Sequence, residues 1–218
     1  MADEALVDAL SSGWPLPIGW EIPSGASMFG QRVSIFVREQ VAMMKLRDTY
    51  DLLDPDSQMV LGQVRDEPAT WAKWLRLIVK KVMLPTTLNV YSGSNPQPVL
   101  SVKKHAGFLR TNLAVVDGQG RVLAQLRSKL FSLGGAFLIL DPAGQEIGQM
   151  KGDWKGWDYA AHLHGQPAGI VTKKWAGALK EVFTNADQYL VQSERPEQLP
   201  LLLGLALAVD VVYKERQG

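Results

Sequence analysis

Leu199-Pro200-Leu201-Leu202-Leu203-Gly204-Leu205-Ala206-Leu207-Ala208-Val209-Asp210-Val211-Val212 decides the fold. Leu199, Leu202, Leu203, Leu205, Ala206, Leu207 and Val209 leave a helix over about Pro196–Lys214 with no broad polar face. A helix that is apolar all round must be surrounded by other apolar groups. The apolar run is shorter than the roughly 20 residues that span a bilayer, so it reads as a buried core helix. Burying each Leu stabilises by roughly 1.5–3 kcal/mol, which makes this helix the organising element of the core.

What surrounds it is legible upstream. Val33, Ile35 and Val37 alternate with Ser34, Phe36 and Arg38, the period of a half-buried strand. A unit then recurs: an apolar strand, a turn built on Asp or Gly, and a second strand. Tyr50–Leu53 precedes Asp54-Pro55-Asp56-Ser57, and Met59–Val64 follows. Leu113–Val116, Asp117-Gly118-Gln119-Gly120 and Val122–Leu126 form another unit, and Phe137–Leu140, Asp141-Pro142-Ala143-Gly144 and Glu146–Met150 a third. Asp opens such turns by accepting hydrogen bonds from nearby backbone N–H groups, and Gly closes them by tolerating positive φ. Three such hairpins predict an antiparallel meander, and a long meander avoids bare edges by closing into a barrel. The economical place for the apolar helix is inside that barrel.

A second helix is predicted over Pro68–Val82, capped by Asp66 and stopped by Pro85. Trp71, Trp74, Leu75, Ile78 and Val82 fall on one face, with Lys73, Arg76, Lys80 and Lys81 toward the other. Such a helix suits an anionic membrane surface, and it equally suits packing on the barrel with its lysines solvated. Lys151, Trp154, Lys155 and Trp157 sit around glycines at another hairpin, where an indole can lie at headgroup level or cover the barrel mouth. Residues 1–30 form a separate zone punctuated by Gly13-Trp14-Pro15-Leu16-Pro17 and Gly19-Trp20-Glu21-Ile22-Pro23, read as an arm that packs its tryptophans on the domain or meets a protein partner. The domain proper is read as 31–218.

Composition narrows the functions. The 218 residues carry 23 basic and 22 acidic side chains, a net charge of +1, which gives no global field to attract nucleic acid. There are no cysteines, so disulfides, thiolate metal sites and thiol catalysis are excluded and a reducing compartment is consistent. The acidic Met1-Ala2-Asp3-Glu4 start matches neither a signal peptide nor a myristoylation site. No nucleophile elbow and no phosphate loop is present. His162 and His164, two apart on an alternating stretch, would share a strand face and could bind a metal if His105 joined them; a solvated polar face is the simpler reading. No catalytic residue, metal or cofactor is therefore expected.

The segment Ile170–Tyr189, with Trp175, Gly177, Lys180-Glu181, Phe183-Thr184 and Ala186-Asp187 before Tyr189, resembles the final strands of phospholipid scramblases and LURP-one-related proteins. The apolar helix with Asp210 near its end follows in the same order, and the Asp-Gly hairpins and Gly148–Trp154 also fit. The resemblance covers about residues 32–214. It implies a Tubby-like closed antiparallel barrel of about twelve strands threaded by the C-terminal helix, in agreement with the reading from periodicity. It also implies a non-enzymatic lipid- or membrane-associated protein, cytoplasmic and peripheral at the inner face of the plasma membrane. The alternative it leaves open is a LURP-one-type interaction or structural module without lipid activity. Family scramblases carry cysteine clusters, absent here, and an acidic calcium loop. That loop's positions fall on Asn185, Asp187, Tyr189, Val191, Ser193 and Pro196, only one of which is a carboxylate, so the loop reads as vestigial.

Overall fold

The computed structural model describes residues 28–40, 49–67, 84–104, 112–128, 135–153, 156–173 and 188–217. They form a closed barrel of twelve antiparallel strands in which each strand pairs with its sequence neighbours, and β1 (Ser34–Glu39) closes the ring on β12 (Gln188–Ser193). The intervening strands are β2 (Thr49–Leu53), β3 (Val60–Asp66), β4 (Thr86–Ser92), β5 (Leu100–Lys104), β6 (Asn112–Asp117), β7 (Val122–Ser128), β8 (Phe137–Leu140), β9 (Glu146–Asp153), β10 (Asp158–Leu163) and β11 (Gln166–Thr172). A 3-10 turn, Pro196–Gln198, leads into α1 (Leu199–Gln217), the one α-helix among the described residues. The expected barrel and its threading helix are both present.

The three predicted hairpins are β2–β3, β6–β7 and β8–β9. In the second, Asp117 Oδ1 accepts hydrogen bonds from the Gln119 and Arg121 backbone N–H groups at 2.9 and 2.8 Å. Gly120 closes that turn at φ +85°, and Gly144 closes the third at φ +84°. Each hairpin also carries a register shift in its ladder, so one extra residue is accommodated where the chain reverses. The first has no glycine, and Gln58 takes the left-handed position instead, its side-chain amide donating to the Pro55 carbonyl. Asp54 anchors that turn. Its carboxylate accepts from the Ser57 backbone N–H at 2.9 Å and from Arg32 Nε at 3.1 Å. These bonds hold its pKa down to about 2, the Ser57 backbone bond being the largest cause.

The helix fills the barrel. Leu199, Leu202, Leu203, Leu205, Ala206, Leu207 and Ala208 have no measurable exposure, and inward-facing residues of the strands, from Ile35 on β1 to Val191 on β12, complete the same core. By length and composition α1 could cross a membrane, yet 83% of that stretch is buried inside the barrel. The helix expected over about Pro196–Lys214 is observed as Leu199–Gln217, three residues further along, because Pro196–Gln198 form the 3-10 turn that leads into it.

Gly204 shows how closely helix and wall approach. A Cβ there would lie 2.4 Å from Val115 Cγ1 on β6. Glycine inside a helix costs roughly 1 kcal/mol against alanine in propensity, so its presence in an otherwise strong helix former is bought by contact. Gly204→Ala is expected to lower stability by about 1–3 kcal/mol through overpacking, despite the better helix former. Combining it with Val115→Ala should recover part of the loss. Equilibrium unfolding in urea measures both.

The meander gives the barrel two unlike rims. At the upper rim, where α1 enters, the strands are joined by turns that are all described. At the lower rim, where α1 ends, lie the strand ends joined through 41–48, 68–83, 105–111, 129–134, 154–155 and 174–187, which are outside the described residues.

Candidate functional site: the lower rim of the barrel

Asp210 is the only acid within the apolar stretch of α1, and it is fully buried. One turn later Lys214 lies on the same face of the helix. The Tyr50 hydroxyl, on β2, donates to Asp210 Oδ2 and accepts from Lys214 Nζ at 2.7 Å. Lys214 Nζ also lies 3.1 Å from Glu39 Oε1 on β1 and 3.5 Å from Asp210 Oδ2, and it sits 4.6 Å from the centre of the Tyr50 ring. Two buried carboxylates thus share one ammonium, and the group ties the C-terminal end of α1 to the β1–β2 wall. A buried charge without such partners would cost several kcal/mol.

Beside it stands an aromatic cluster. Trp157, in the turn before β10, stacks on Tyr189 with centroids 4.8 Å apart and planes at 19°. Tyr213 of α1 meets the same indole edge-on at 5.5 Å, and Tyr159 does so at 6.4 Å. Lys173 Nζ lies 5.1 Å from the indole centre. Trp157 is 1% exposed and adopts φ +48°. This corrects one expectation: Trp157 packs inside the lower mouth and does not reach a headgroup layer. Lys151, on β9 near the same rim, is exposed.

The other contact candidates, Trp71, Lys73, Trp74, Arg76, Lys80, Lys81, Trp154 and Lys155, lie outside the described residues, as do Asn185 and Asp187. Residues 68–83 join β3 to β4 and residues 154–157 join β9 to β10, so both connections start from the lower rim, on opposite sides of the twelve-strand ring. The upper rim has the opposite character. Its described turns carry Asp54, Asp56, Asp117, Asp141, Glu146, Glu194 and Glu197 against Arg32, Arg121 and Arg195.

Two metal arrangements weighed from the sequence do not form as written. His164 is not on the strand with His162; it shares a two-residue turn with Gly165, both at positive φ, so the two imidazoles have no common strand face. His105 lies outside the described residues. Tyr189, Val191 and Ser193 lie along β12, paired to β1 and β11, with Tyr189 and Val191 in the core, so this stretch is extended wall and not an ion-wrapping loop. Among the described residues no three His, Asp or Glu side chains are grouped to hold a metal.

No family model, curated protein or solved structure matches this chain.

The sequence had singled out Asp210, but not its partners. Tyr50 and Asp210 are 160 residues apart, and no local spacing joins them. The one available signal was the i, i+4 pair Asp210 and Lys214 at the end of an otherwise apolar helix.

Proposed function

We propose that this chain is a non-enzymatic barrel protein of the scramblase and LURP-one-related type that docks on anionic membrane surfaces by its lower rim. What supports the reading is that both aromatic-basic segments are joined to strands at that rim, on opposite sides of the ring, with the acidic turns at the other. An anionic surface attracts the first and repels the second, which orients the molecule. Each basic residue near such a surface contributes about 1 kcal/mol, so Lys73, Arg76, Lys80 and Lys81 together supply reversible docking and not a permanent anchor. The filled interior is consistent with contact from outside, since α1 occupies the space a lipid tail would need.

Co-sedimentation with phosphatidylserine-containing vesicles tests this. Binding is expected at low salt and should weaken steeply as the Debye length shrinks toward about 8 Å at physiological ionic strength. Changing Lys73, Arg76, Lys80 and Lys81 together to Gln should abolish binding and leave the melting temperature nearly unchanged. Absence of binding by the unaltered protein at low salt contradicts the proposal.

A second reading, an interaction module without lipid activity, rests on the balanced charge and on Trp14 and Trp20 of residues 1–30. Loss of captured partners on removing residues 1–30, with vesicle binding absent throughout, would select it.

A further inference from the structure

We draw no further inference here: the strongest candidate, the buried side chains of Asp66, Thr86 and Lys104 at the lower-rim ends of β3, β4 and β5, belongs to the site already described and offers no group that identifies a ligand.

Discussion

Leu203→Asp is expected to abolish soluble, cooperatively folded protein. Leu203 has no measurable exposure and sits at the middle of a helix enclosed by the barrel wall. The new carboxylate would be buried without a partner, at a cost of several kcal/mol. A whole domain is stable by about 5–15 kcal/mol, so the loss is comparable with the total. Soluble yield and a thermal melt by circular dichroism measure it. A cooperative melt near the unaltered temperature contradicts a helix enclosed by the barrel.

Lys214→Met should be nearly as damaging, for a different reason. It preserves the bulk of the side chain but leaves Glu39 and Asp210 without the ammonium they share. Removing one partner of a buried charged group costs about 3–5 kcal/mol, much of it the penalty on the charges left behind. Glu39→Gln removes one of those charges. The double variant should therefore be less destabilised than the sum of the singles, with a coupling of about 0.5–3 kcal/mol in a double-mutant cycle. Strictly additive losses contradict the shared-ammonium geometry.

The two variants probe features of very different legibility. The helix could be read from Leu199 to Val212 because an unbroken apolar surface has one physical resolution, enclosure. The β2–β3, β6–β7 and β8–β9 hairpins could be read because Asp54, Asp117 and Asp141 open turns by local hydrogen bonds that sequence spacing controls. The closure of β1 on β12 could be expected only in kind, since its register links Ser34 with Gln192 across nearly the whole chain. The Glu39–Tyr50–Asp210–Lys214 group was not legible at all beyond its i, i+4 pair, because three elements meet there only after the barrel has closed. Trp157 could be read only as two alternatives, headgroup contact or a cover for the barrel mouth, for a related reason. Trp beside Lys and Gly at a hairpin has the composition of a membrane-facing tip, but stacking on Tyr189 and Tyr213 depends on β12 and α1, both distant in sequence. Gly204 carried a readable hint, a poor helix former in a strong helix, but not the identity of Val115 as the neighbour.

The account requires that the protein meet a membrane with its barrel intact, although α1 has the length and composition of a span. Amide hydrogen exchange in the presence and absence of phosphatidylserine vesicles at low salt tests this most directly. The strands to follow are β5, β6 and β7, which pack against α1 and lose their core if the helix leaves. The account predicts that the protein binds the vesicles while the amides of these strands keep their protection. Binding accompanied by loss of protection in β5, β6 and β7 would mean that the helix leaves the barrel for the bilayer, and would contradict it.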